Sequence, residues 1–150
     1  MEPSIVEIPG FTVVGPKYHG KNENNEIPQM WDAFHWRVGE IKNMVTDRIA
    51  YGISASMDPI TGEIDYIAGY EVSGATDVPE GMVRFEVPSG KYVVLTTTLP
   101  KLGETFRRAY ESWMPAAGYR PVDGAVFELY RDGFDADDPN SEFELYIPIM

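Results

Sequence analysis

The chain has 150 residues, of which 43% are hydrophobic and 13% aromatic, enough apolar surface for one cored domain and too much for a disordered segment. It carries 12 Lys and Arg against 24 Asp and Glu, a formal net charge of −12, which repels phosphate backbones and argues against direct nucleic-acid binding; such a field instead draws cations or a basic protein patch. With no Cys there is neither a disulfide framework nor thiolate chemistry, and the N-terminal stretch shows no leader pattern and no segment of membrane-spanning length is visible, so a soluble cytoplasmic protein is expected.

The first predicted element is a strand over 11–20, "FTVVGPKYHG", closed by the polar loop "KNENN". Residues 26–44 then place Ile27, Met30, Trp31, Phe34, Val38 and Ile41 at three- and four-residue steps, the period of an amphipathic helix, with Pro28 tolerated in its first turn. A strand over 49–57, the turn "DPITGE" and a second strand over 64–72 form a hairpin. After a loop containing "DVPEG" the order starts again. Residues 82–99 are β, broken at Pro88-Ser89-Gly90, and 101–118 are helical with Leu102, Phe106, Ala109, Tyr110 and Trp113 on one face and Gly118 suited to the C-terminal cap. A strand over 125–132, the acidic turn "GFDADDPNS" and a last strand over 142–150 complete the chain.

Both halves therefore read strand-helix-strand-strand. "IPGFTVV" resembles "VPSGKYVV", and the two hairpin regions resemble each other as well, which suggests a duplicated unit with pseudo-repeats at about 11–74 and 82–150 inside a single domain, 1–150. The expected fold is α+β, an antiparallel sheet with two main helices on one face. Two halves side by side leave a groove between the helices, a favoured place for a ligand.

Most catalytic and metal signatures are missing. His19 and His35 lack zinc spacing, no phosphate-binding glycine motif is present, and "GISAS" (52–56) lacks the glycine that a nucleophile elbow needs after its serine. The run 135–142, "DADDPNSE", begins like a calcium loop but has Pro139 at the third ligand position, so a solvated turn is expected. Neither a metal nor a cofactor is called for.

What remains is carboxylates among aromatics. Strand alternation sets Val126, Glu128 and Tyr130 on one face and Phe127 and Leu129 on the other. If the Glu128 face looks to water, the residue is ordinary. If it looks to the helices, a buried carboxylate sits at the floor of the groove, where it is either protonated or awaits a cation. Glu144 sits in the same Phe-Glu-Leu pattern, and periodicity does not choose between the two. Candidate aromatic walls are Tyr51 with Tyr66 or Tyr70 from the first hairpin and Tyr146 from the last strand. Helix one offers Trp31 and Phe34, and helix two offers Phe106, Tyr110 and Trp113. Rings of this kind would hold a planar organic cation by stacking and cation–π attraction, although helix aromatics at this spacing also serve as core.

The segments "YHGKNENNEIPQMWDAF", "GEIDYIAGYEVS", "DVPEGMV", "VPSGKYVV", "GETFRRAYESWMPAAGY…DGAVFELY" and the closing "YIPI" together resemble the GyrI-like small-molecule-binding domain, over about residues 5–150. This is also the effector-binding half of multidrug-responsive transcription activators of the MerR and AraC types. The resemblance implies duplicated strand-helix-strand-strand (SHS2) units and a groove for bulky, flat, often cationic hydrophobic molecules, which the protein would sequester or sense. It implies that Glu128 is the carboxylate that meets the cation, with Tyr51, Tyr110 and Tyr146 as walls. Two other activities occur in the family. One is opening of cyclopropane rings in DNA-alkylating natural products, for which Glu128 with Tyr110 or Trp113 would be the candidates. The other is binding of DNA gyrase, a protein partner considered beside a transcription regulator.

Overall fold

The computed structural model describes residues 3–74 and 77–150. The chain runs through β1 (Ser4–Ile8), β2 (Phe11–Gly20), α1 (Glu26–His35), β3 (Ile49–Met57) and β4 (Ile64–Val72). It continues through β5 (Met82–Val87), β6 (Gly90–Thr98), α2 (Leu102–Arg108), α3 (Met114–Ala117), β7 (Val126–Arg131) and β8 (Glu142–Pro148). All eight strands join one sheet in the order β1-β6-β8-β7-β3-β4-β2-β5, and every pairing is antiparallel. Exchanging β1 with β5, β2 with β6, β3 with β7 and β4 with β8 reverses this order onto itself. The α+β fold expected from the sequence is present, and β3 and β7 form the seam between its halves.

The hairpin β3–β4 occupies the expected residues, because Asp58 closes its turn: the Asp58 side chain accepts from the Ile60 and Thr61 N–H groups. Three boundaries differ from expectation. The sequence reading began at residue 11 and left out β1, a short edge strand that pairs with β6 rather than with its own neighbours. The helix expected over 26–44 stops at His35. A 3₁₀ turn over Val38–Glu40 takes its place, tied down by Arg37, which binds Glu40 and donates to the Glu80 carbonyl. Val38 and Ile41 still pack where the periodicity put them, so burial was legible there even though the backbone conformation was not. Helix two is interrupted by a π-helical turn over Ala109–Trp113 and ends at Gly118, whose φ of 81° fits the left-handed cap.

Both helices lie on one face of the sheet. α1 packs with Val14, Tyr66, Ala68 and Val72, while helix two packs with Val93, Leu95, Leu145 and Ile147. The reverse face has a core of its own, built on Val13, Tyr51, Ile53, Ile67, Tyr92, Phe127 and Leu129. Among the described residues no helix is long and apolar enough to cross a membrane.

Candidate functional site

The seam strand β3 presents small residues to the helix side: Ala50, Gly52 and Ser54 stand opposite Tyr130, Glu128 and Val126 of β7. At Gly52 the room that a side chain would take is filled by Tyr66 of β4 and Glu128 of β7. A Cβ at Gly52 would stand 2.0 Å from the Tyr66 hydroxyl and 2.6 Å from Glu128 Oε1. The glycine is what lets these two groups meet.

They meet through one carboxyl oxygen. Tyr66 Oη donates to Glu128 Oε1 at 3.0 Å and Tyr130 Oη donates to the same oxygen at 2.7 Å. Trp31 Nε1 on α1 in turn donates to Tyr66 Oη at 3.1 Å, so the helix positions the phenol that positions the acid. The Trp31 ring also stands edge-on to Tyr130, 5.9 Å between centroids. Phe134 and Phe143 back Tyr130 at 4.7 and 4.8 Å. No buried side-chain nitrogen or oxygen among the described residues lacks a partner. Oε2 receives no hydrogen bond there, so it must be reachable from solvent.

No ion pair to Glu128 occurs among the described residues. Burial pushes its carboxyl above the usual carboxylate range, and the two phenol donors only partly oppose that shift. Burial and the neighbouring carboxylate likewise push the Tyr66 and Tyr130 hydroxyls up, so both phenols stay protonated and serve as donors. The arrangement is an acid held by one oxygen, with the partly exposed rings of Trp31 and Tyr130 beside it. No group of three or more His, Asp or Glu among the described residues could hold a metal ion.

The other candidates fall in different places. Phe34 is core, 3% exposed, with Trp31 and Tyr70 beside it at 6.2 and 5.9 Å; Tyr70 is half-buried on the same side of the sheet. Phe106 and Tyr110 stack on each other with centroids 6.3 Å apart, and Trp113 stacks on Tyr119 at 5.7 Å. Phe106 and Trp113 pack against the core under helix two, and the hydrogen bonds of Glu128 go to Tyr66 and Tyr130 instead. Tyr51 and Tyr146 require correction, because neither shares the face of Glu128. Tyr51 is paired with Leu129 and Tyr146 with Phe127, and directly paired residues share a face; both tyrosines therefore lie behind the sheet. Glu144, the twin of Glu128, is also behind it, opposite Leu129 and bound to Arg131 at 2.6 Å.

Gly52 and Tyr130 were missed as site residues. Tyr130 sits two residues after Glu128 on the same strand face, so strict alternation could have found it. The run of small residues at 50, 52 and 54 was a second signal, because a strand with so little bulk on one face makes room for something else there.

The family described as Cass2, integron-associated effector binding protein, matches residues 4–149. The transcriptional regulator BrlR of Pseudomonas aeruginosa is 42% identical over 152 residues, covering 99% of this chain and 56% of BrlR; the chain spans about half the length of that relative. The solved structure of SAV2435 bound to tetraphenylphosphonium is similar with a TM-score of 0.73 at 18% identity, over 100% of this chain and 94% of that one. The integron cassette protein VCH_CASS2 from the mobile metagenome of Vibrio cholerae gives 0.67 at 24% identity, over 99% and 95%. At such identities the two structures speak for the fold alone.

Proposed function

The chain belongs to the integron-associated effector binding family, and from that footing we propose that it binds bulky, flat, hydrophobic and often cationic small molecules, which it sequesters or senses. The groove above the β3–β7 seam receives them, between α1 and helix two. Glu128 carries this reading. Its carboxyl is set among aromatic rings, anchored through Oε1 alone, and paired with no cation among the described residues. Such a group is costly unless it is protonated or supplied with a positive partner. A planar cation would offer charge to Oε2 and faces to Trp31 and Tyr130 at the same time. That a protein of this fold was solved with tetraphenylphosphonium bound supports the same class of ligand.

Binding is favoured over ring-opening hydrolysis because of where the partners lie. The hydrolytic reading joins Glu128 to Tyr110 or Trp113, whereas the ring and hydrogen-bond partners of Glu128 and its phenols are Tyr66, Tyr130 and Trp31. A fluorescence titration with rhodamine 6G tests the proposal. Glu128→Gln keeps the shape and removes the charge, and its affinity should fall at least about tenfold, the lower end for losing a charge-assisted contact. Equal affinity of the two proteins would take Glu128 out of the role.

A further inference from the structure

Behind the sheet lies a second cavity, of about 240 Å³. Its floor is aromatic: Phe127 stacks on Tyr146 with centroids 4.5 Å apart, and Phe11 touches Tyr51 at 5.0 Å and Phe127 at 5.6 Å. Glu71 of β4 joins the lining, placed on this face by its pairing with Val13.

Three oxygen-bearing groups converge here without a protein partner among the described residues. The Tyr51 hydroxyl, the Tyr146 hydroxyl and the Glu71 carboxyl receive and give no hydrogen bond. Tyr51 is the telling one, because it is only 7% exposed. Buried tyrosines ordinarily find a partner for their hydroxyl. No fully buried side-chain oxygen is left unpaired among the described residues, so each of these oxygens keeps accessible surface, and all three residues line the cavity. Burial pushes the Tyr51 hydroxyl up to about 12, with Glu71 adding to the shift, and burial raises the Glu71 carboxyl as well. Around the rim, Arg131 and Glu144 bear on both tyrosines or on Tyr146 alone, and they already neutralise each other. Glu71 has no cation among the described residues.

We propose that this cavity is a second ligand site, separate from the groove on the helix face, and that it takes a compact organic ammonium ion carrying no more than a single ring. The carboxylate and two phenol oxygens accept the N–H donors, and the floor of rings supplies cation–π attraction to a desolvated charge. The size follows from the volume, which lies below the roughly 300–1,000 Å³ of sites for drug-sized molecules. Strand β7 separates the two sites, with Glu128 on one side and Phe127 and Leu129 on the other.

The test is ligand-observed NMR with benzylammonium, and with neutral benzyl alcohol of the same shape, on the whole chain. With the charge of the helix-face groove removed by Glu128→Gln, benzylammonium should still bind saturably, and adding Glu71→Gln should weaken that binding at least about tenfold, as expected for a charge-assisted contact. Benzyl alcohol should bind the Glu128→Gln protein more weakly by a similar factor. In that background, benzylammonium binding that Glu71→Gln leaves unchanged, or that benzyl alcohol equals, overturns the proposal, as does absence of saturable binding up to about 10 mM, beyond which even a small ligand gains little from a built site. Should Glu71→Gln not fold, Tyr146→Phe removes only one half-buried hydroxyl. Weakened binding by that variant supports the site and unchanged binding overturns it.

Discussion

The tetrapeptide Phe-Glu-Leu-Tyr occurs twice, at 127–130 and 143–146, and the two copies lie side by side in β7 and β8. Their glutamates nevertheless meet opposite fates. Antiparallel pairing sets Phe127 against Tyr146, Glu128 against Leu145 and Leu129 against Glu144, so Glu128 rises toward the helices while Glu144 points behind the sheet. Glu128 is held by two phenols and has no cation among the described residues, and Glu144 takes Arg131 at the surface. Identical local sequence thus yields a phenol-anchored acid in one copy and an ordinary ion pair in the other. Register decides between them, since a shift of one residue exchanges the faces of a strand.

The largest way to break this contrast, apart from removing the Glu128 charge itself, is to act on the strand that makes room for it. In Gly52→Ala the new methyl would overlap the Tyr66 hydroxyl, 2.0 Å away, and crowd Glu128 Oε1. Tyr66 must swing off, which breaks its bond to the acid and strands Trp31 Nε1. Overpacking of this kind costs about 1–3 kcal/mol, which for a chain of this size lowers Tm by about 3–10 °C. Thermal denaturation reads the first effect and rhodamine titration the second, which should approach the loss seen in Glu128→Gln. A variant with unchanged Tm and dye affinity would show that the small face of β3 is incidental.

How far the site could be read from the sequence follows from the same contrast. Hairpins, helix faces and the order of elements are local, so turn residues and periodicity revealed them: β4 occupies the predicted residues, and Phe34, Val38 and Ile41 pack as predicted. The wet or buried fate of Glu128 was not local. Composition and alternation gave both glutamates equal standing, and only resemblance favoured Glu128. Tyr51 and Tyr146 were misplaced because a tyrosine on a central strand is equally at home on either face, and cross-strand pairing alone assigns it. β1 escaped notice because an edge strand of five residues with Glu7 exposed carries little hydrophobic signal. The π-helical turn in helix two has no composition signature at all, and Tyr110 within it is 37% exposed.

A smaller effect separates the two glutamates by pH. Burial raises the folded-state pKa of Glu128 above its ordinary value of 4.5, and a raised acid stabilises the fold below the unfolded pKa and loses that contribution as pH rises through the folded one. Wild type should therefore gain stability relative to Glu128→Gln as pH falls through this window. Cation affinity should run the other way, strengthening as pH rises and the carboxyl ionises. Denaturant midpoints and dye titrations at a series of pH values check both signs. A pH-dependent dye affinity that persists in Glu128→Gln would assign the titration to another group.

The smallest expected effect belongs to the surface copy. Arg131 donates to Glu144 through Nε at 2.8 Å as well as through Nη2, but the arginine side chain is 63% exposed, and exposed pairs contribute about 0–1 kcal/mol because water screens them and two long side chains must be held still. Glu144→Gln should thus shift Tm by no more than about 2–4 °C and leave rhodamine affinity where it was, since the residue lies on the other side of the sheet from Oε2 of Glu128. The shift should also shrink with added salt, as a screened surface pair requires. A dye affinity that fell with Glu144→Gln as far as with Glu128→Gln would mean that the two faces are not chemically separate, and that the cation is held by the acidity of the β7–β8 pair as a whole rather than by one carboxyl aimed into the groove.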